Sequence, residues 1–133
     1  MVVNSFIRLF TTMTTAAEWI AKNDPSVLRA SEEELKRMTL YIDEVDSLEG
    51  CPPILKKLDV YGTKIKSLEG APKSVGKLDA SHCHLASLRG CPETFDELNL
   101  SYNDLTSLTG MPKRPQAFTS GKLPNVMLNN TDI

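Results

Sequence analysis

One short pattern recurs four times along this chain with a constant 20-residue period. Each copy has the form S-L-x-G-x-P, and its leucines are Leu48, Leu68, Leu88 and Leu108. A fixed period of this length is typical of repeat architectures, in which each repeat is one structural unit that stacks on its neighbours. The chain is therefore predicted to fold as a stack of similar coils.

Each repeat also contains a segment in which apolar and polar residues alternate. The apolar pairs are Met38 and Leu40, Leu58 and Val60, Leu78 and Ala80, and Leu98 and Leu100. A strand with one buried face requires this alternation, because successive side chains point to opposite sides. Each repeat is therefore predicted to add one strand to a parallel sheet, with neighbouring strands about 4.8 Å apart.

A small or polar side chain follows each strand at the same period. These residues are Asp43, Thr63, Cys83 and Asn103. Where the chain turns out of a strand, some backbone groups lose their ladder partners, and polar side chains can bond them. The glycine and proline of each repeat are predicted to form the return path to the next strand, without a full helix.

A fifth, degenerate copy is predicted near the C-terminal end. Its apolar and polar positions follow those of the fourth copy at a 28-residue offset and are Val126, Leu128, Thr131 and Ile133. Leu123 would then match the leading apolar position of Phe95, and the extra residues would form an insertion at 113–122. A rival alignment that keeps the 20-residue period places Phe118 in the strand but puts Ser120 in a buried position, so the longer repeat is favoured.

The N-terminal third does not repeat and is predicted to be helical. Two capping-box patterns begin at Thr15 and Ser31, and Asp24 precedes a proline that suits the first position of a helix. Because a stack of repeats exposes its apolar interior at each end, we expect residues 1–37 to form a helical cap and residues 38–133 the repeats, in one structural domain. The apolar residues expected to cover the first repeat are Phe6, Leu9, Phe10, Trp19, Ile20 and Leu28.

The pattern L-x-x-L-x-L-x-x-N/C-x-L, best matched by residues 95–105, resembles that of leucine-rich-repeat proteins over roughly residues 35–133. The short repeat is similar to the bacterial class found in effector proteins of enterobacterial pathogens, although Leu48, Glu49 and Gly50 stand where that class carries a Leu-Pro pair. The resemblance implies an α/β fold: a short solenoid with a curved parallel sheet of about five strands and an N-terminal helical cap. It also implies a bacterial or viral effector or inhibitor of a host protein, which acts by binding and not as an enzyme.

Composition excludes several partners. The chain has 17 acidic and 15 basic residues, a net charge of -2, so it lacks the basic excess of most nucleic-acid-binding domains. No apolar run approaches the roughly 20 residues of a membrane helix, and the first residues match a signal peptide poorly. Cys51 and Cys91 occupy the same apolar position of the repeat, which predicts buried thiols. They lie two repeats apart, beyond the reach of a disulfide. Unpaired cysteines indicate a reducing, cytoplasmic location in the producing cell or in a host cell.

The predicted concave face of the sheet is the candidate binding surface. The residues expected to contact a protein partner are Tyr41, Lys57, Asp59, Tyr61, Lys77, Asp79, His82, Asn99 and Tyr102. Four of these form an aromatic column, and tyrosine is enriched at the energetic centres of interfaces. At a constant 20-residue register, Arg37 would lie beside Lys57 and Thr39 beside Asp59, with Ile42 facing outward. The alternative is an ordinary polar sheet surface without a partner.

No metal, cofactor or catalytic site is predicted. The sequence His82-Cys83-His84 suggests a metal site, but alternation points the histidines outward and the cysteine inward. No phosphate-binding loop or nucleophile motif occurs, so an enzyme with an unrecognised site is the weaker alternative. A monomer is expected, because Pro124 and Asn125 would protect the open edge strand at Val126 from pairing. The alternative is self-assembly through this edge strand.

Overall fold

A computed structural model describes residues 14–119, 121 and 123–133; Phe6, Leu9 and Phe10 of the predicted cap lie outside the described residues. The helical elements are α1 (Ala16–Asn23), a 3-10 helix (Pro25–Arg29) and α2 (Glu32–Leu35). The strands are β1 (Thr39–Tyr41), β2 (Ile54–Asp59), β3 (Ser74–Asp79), β4 (Thr94–Asn99) and β5 (Asn125–Met127).

The five strands form one parallel sheet in sequence order, which confirms the prediction of a solenoid-like sheet with one strand per repeat. Leu58 pairs with Leu78, and Leu78 pairs with Leu98, as the 20-residue period requires. All three side chains are buried and belong to one continuous apolar core. The core therefore runs through the coils along the direction of stacking.

The fifth strand has the predicted 28-residue offset, since Leu98 pairs with Val126. The rival alignment through Phe118 is wrong, because the insertion crosses the beginning of β4 instead: Gln116 forms a bridge with Thr94 and accepts a hydrogen bond from the Phe95 N–H. The match of Leu123 to the position of Phe95 is also wrong. Leu123 is 92% exposed, because the segment around Gln116 already occupies that place beside β4.

The first strand departs from the predicted register by two positions. Leu40, and not Met38, pairs with Leu58, so the offset is two short of the 20-residue period. Ile42, predicted to face outward, is only 2% exposed. Its N–H donates to the Asp59 carbonyl, and the Val60 N–H donates in the same way to the Asp79 carbonyl, so Ile42 is equivalent to Val60. A shift of two preserves the inward and outward alternation, and this one places Ile42 in the core.

The glycine of each S-L-x-G-x-P copy marks a close approach between coils. Gly70 and Gly90 have φ values of 91° and 86°, a region that favours glycine. A Cβ on Gly90 would lie 2.5 Å from backbone atoms of Glu69 in the preceding coil. The serine of each copy accepts a hydrogen bond from the N–H two residues later, in Glu49, Glu69, Arg89 and Thr109. The motif therefore builds the turn on which the next coil stacks.

The polar residue after β4, Asn103, bonds the backbone as predicted. Its Nδ2 donates to the carbonyls of Ala80 (2.9 Å) and Leu100 (3.0 Å), and its Oδ1 accepts from the Leu85 N–H (2.9 Å). The same prediction is wrong for Asp43, which is exposed and accepts a hydrogen bond from the Trp19 indole. The shift of β1 by two positions removes Asp43 from the equivalent place.

The helices begin largely as predicted. The Thr15 side chain accepts from the Glu18 N–H, and Ser31 forms both hydrogen bonds of its capping box. Asp24 precedes the 3-10 helix but makes no side-chain cap; its carboxylate accepts from the Ser26 hydroxyl. No helix in the described ranges is long and apolar enough to span a bilayer.

Helix α1 is attached to the first coil. The N–H groups of Ala16 and Ala17 donate to the carbonyls of Ser47 and Glu49 at 3.0 and 2.9 Å. Ile20 is buried in the common core, whereas Leu28, expected to cover the first repeat, is exposed.

Two glycines test the close stacking. Gly90→Ala should lower the free energy of unfolding by about 3 kcal/mol or more, because it adds a clash with the preceding coil to left-handed strain. Gly62 has a similar φ of 73° but no atom within 4 Å of a Cβ, so Gly62→Ala should cost only about 1–2 kcal/mol. Urea unfolding measures both values, and equal losses would contradict the stacking.

Candidate protein-binding face

The outward side chains of the strands form two columns on one side of the sheet, here called the outer sheet face. The first column contains Thr39, Lys57, Lys77, Glu97 and Asn125, and the second contains Tyr41, Asp59, Asp79, Asn99 and Met127. Thr39 therefore takes the place predicted for Arg37, and Tyr41 takes the place predicted for Thr39. Both differences follow from the shift of β1 by two positions.

The acidic and amide residues of the second column shape the turns. Asp59, Asp79 and Asn99 each accept a hydrogen bond through Oδ1 from the N–H two residues later, at 2.9–3.1 Å. Asp79 also accepts from the Ser81 hydroxyl. Asp and Asn commonly form this local turn, which was a visible signal that the sequence analysis did not use. These residues position the segments after the strands, a role the sequence analysis did not assign.

Three aromatic rings follow those turns and contact one another. We call Tyr61, His82 and Tyr102 the aromatic ladder. The His82 ring stacks on that of Tyr102 at a centroid distance of 4.2 Å and meets the Tyr61 ring at 5.0 Å. Tyr61 and Tyr102 remain 57% and 46% exposed. Tyr41 lies outside this ladder, with the Lys57 ammonium 5.5 Å from its ring centre.

Two members of the ladder have strained backbones. His82 and Tyr102 have φ values of 54° and 59°, where most side chains cost about 1–2 kcal/mol. The equivalent positions in the other coils carry Glu44, Gly62 and Asn130, of which glycine and asparagine best tolerate this conformation. Interstrand hydrogen bonds from the N–H groups of His82 and Tyr102 hold the strained turns in place. The arrangement keeps large rings where smaller residues would fit the backbone better.

The outer sheet face carries mixed charge and a shallow cleft. The Lys77 ammonium lies 3.4 Å from the Glu97 carboxylate, and such exposed pairs add little to stability. A cavity of about 230 Å³ brings together four of the predicted site residues, Lys57, Lys77, Asp79 and Asn99. The charged cleft therefore lies on the strands, and the aromatic ladder follows their C-terminal ends.

The histidines and cysteine of the central repeat point as predicted. His82 and His84 are exposed, whereas Cys83 is buried and its thiol donates to the Val60 carbonyl at 3.2 Å. Within the described ranges, no three histidine, cysteine, aspartate or glutamate side chains are grouped in a way that could hold a metal ion.

The other two cysteines, which were predicted to be buried, pack against the core and are partly buried. Burial raises the pKa of the Cys51 and Cys91 thiols to about 12. Their apolar surroundings include Met111, whose sulfur lies 4.0 Å from that of Cys91. Thiols held in the neutral form are poor nucleophiles.

Comparisons with protein-family models, curated proteins and solved structures find no match for this chain.

Thiol labelling tests the cysteine environments. With a pKa near 12, roughly one Cys51 or Cys91 thiol in ten thousand is ionised at pH 8, against about one in four for a free thiol. A disulfide reagent should therefore modify these thiols slowly in the folded protein and rapidly in denaturant. Because the folded pKa is raised, these thiols stabilise the fold at low and neutral pH, and that contribution is lost as the pH rises from about 9 through 12. Native labelling as fast as denatured labelling would contradict this.

Proposed function

We propose that this chain is a leucine-rich-repeat-type solenoid that binds a protein partner through its outer sheet face and has no catalytic role. The observation that carries the proposal is the exposed aromatic ladder of Tyr61, His82 and Tyr102. Solenoids commonly bind through the extended surface that their stacked strands create.

Several features support the leucine-rich-repeat assignment. Each 20-residue coil contributes one strand, and Asn103 bonds the backbone from the position where the repeat pattern carries Asn or Cys. Cys83 occupies the same position one coil earlier and donates to a carbonyl there. The hydrogen bonds from α1 to the first coil support a helical cap over that end.

The aromatic ladder is suited to binding because it is both exposed and ordered. Tyrosine contributes disproportionately to interface energies, since its ring buries much area while its hydroxyl keeps a hydrogen-bond partner. The rings of His82 and Tyr102 already contact each other, so binding would cost less side-chain entropy than ordering free rings.

The resemblance to bacterial effectors extends this proposal to a biological role. The chain would act by occupancy, as an effector or inhibitor that covers a surface of a host protein. The three free cysteines are consistent with a reducing, cytoplasmic setting.

Self-association is the second candidate, favoured by apolar exposure near β5. Leu108, Leu123 and Ile133 are exposed, and β5 is a short strand at the end of the described sheet. An apolar edge of this kind can pair with another copy. Sedimentation at increasing concentration separates the candidates, since partner binding predicts a constant monomer mass and edge pairing a rising one.

Removal of two rings tests the binding face. The double variant Tyr61→Ala/Tyr102→Ala should fold normally, because both side chains are largely exposed. It should lose partner affinity by about 30-fold or more, corresponding to at least about 2 kcal/mol at an interface centre. Quantitative affinity capture from host lysates, followed by titration of the captured protein, measures the loss.

A matched control is Lys66→Ala/Thr106→Ala, which truncates two exposed side chains in other segments of the coils. This variant should capture the same protein as the unmodified chain. If the ring variant and the control bind a common partner equally well, the aromatic ladder is not part of the binding surface, and the observation that carries the proposal fails.

A further inference from the structure

A cavity of about 540 Å³ lies where Phe118 and Thr119 of the predicted insertion meet the beginning of the outer sheet face. Gly76 of β3 and Phe118 of the insertion line it, and the Phe118 ring lies 3.5 Å from where a Cβ on Gly76 would be. The volume falls within the usual range for small-ligand sites.

Glycine is required at this point of the sheet. Gly76 stands in β3 where β2 has Lys56 and β4 has Asp96, and an added Cβ would overlap the Lys56 carbonyl. The absence of a side chain lets the Lys56 carbonyl and the Phe118 ring approach β3 closely. Gly76 therefore allows the insertion to pack on the sheet beside the cavity.

Positive charge dominates the lining. Five cationic side chains surround the cavity: Lys36, Arg37, Lys56, Lys57 and Lys77. The one acidic residue in the lining, Asp96, accepts hydrogen bonds from the Phe118 N–H at 2.8 Å and from the Thr119 hydroxyl at 2.9 Å. Asp96 thus holds the insertion against the sheet.

The cations are only partly compensated. Lys36 pairs with Glu33, and Lys77 pairs with Glu97. Arg37 and Lys56 make no ion pair within the described part of the chain. The whole chain has a net charge of -2, so this local excess runs against its overall composition. Charge concentrated in a concave site attracts ligands of the opposite sign.

We propose that this cavity binds a phosphorylated tyrosine side chain of the protein partner, an inference that rests on the proposed protein-binding function. The phosphate carries a charge of about −1.5 to −2 at neutral pH. A ligand with this charge suits a cluster of several cations better than a ligand with one carboxylate. Arg37 can donate two parallel hydrogen bonds to the phosphate oxygens, and the Thr39 hydroxyl also lines the cavity. The Phe118 ring offers the phosphorylated ring an aromatic surface.

The position of the cavity favours a peptide segment as the source of this group. Thr39, Lys57 and Lys77 line the cavity and also belong to the first column of the outer sheet face. A partner on that face can therefore place one side chain into the cavity while its other residues contact the aromatic ladder.

Fluorescence anisotropy of the full chain with a labelled phosphotyrosine peptide of otherwise neutral residues tests the assignment. The phosphorylated peptide should bind at least about tenfold more tightly than its unphosphorylated form, the effect of one charge-assisted contact. Lys56→Ala and Arg37→Ala should each weaken it about tenfold, whereas Lys66→Ala, which removes an exposed lysine that does not line the cavity, should not. Phe118→Ala should weaken binding of the phosphorylated peptide several-fold. The concentration of inorganic phosphate that displaces the peptide should reflect an unchanged affinity for phosphate itself.

Three results would overturn the assignment: equal affinity for the two peptides, an equal loss in Lys66→Ala, or a random oligonucleotide that binds as tightly as the phosphopeptide. The Tyr61→Ala/Tyr102→Ala variant separates this inference from the proposed function, because neither tyrosine lines the cavity. It should keep phosphopeptide affinity even where it loses the full partner. Intact partner binding through the ladder with no phosphopeptide binding would reject the cavity assignment alone.

Discussion

The close approach of successive coils is the constraint on which the fold depends. At Gly70, Gly90 and Gly110, backbone atoms of the preceding coil lie where a Cβ would be. This contact sets the coils at the spacing that parallel strand pairing needs, and it aligns the leucines of successive repeats into one core. Helix α1 uses the same geometry at the first coil, where Ala17 occupies the space above Gly50.

Regular stacking also explains how the outer face is built. Asp59, Asp79 and Asn99 recur because each fixes the same turn after its strand, and the residues after those turns are presented in a row. The equivalent positions carry Glu44, Gly62 and Asn130, also at positive φ, so the fold does not require an aromatic ring there. The rings of His82 and Tyr102 are therefore additions to the repeat and not part of its structural requirement.

Much of this structure could be predicted from the sequence because the repeat is strong. The strand pairing of Leu58, Leu78 and Leu98, the longer offset of Val126 and the capping box at Ser31 all follow from spacing. The register of β1 could not be predicted, since Met38, Leu40 and Ile42 alternate in a way that satisfies two alignments differing by two positions.

The candidate site was predicted less completely than the fold. The three ladder rings were identified as neighbours on the predicted face, but Tyr41 was misplaced with them because of the shift in β1. The cationic cavity had no local signal. It depends on the contact between Gly76, in a repeated strand, and Phe118, in the insertion, which are far apart in sequence.

Methyl-to-methyl nuclear Overhauser effects in the leucine- and valine-labelled protein test the stacking most directly. The account predicts a single chain of contacts from Leu40 to Leu58, Leu78, Leu98 and Val126, in that order. Contacts that skip a coil, or an absence of contacts between Leu58, Leu78 and Leu98, would contradict it.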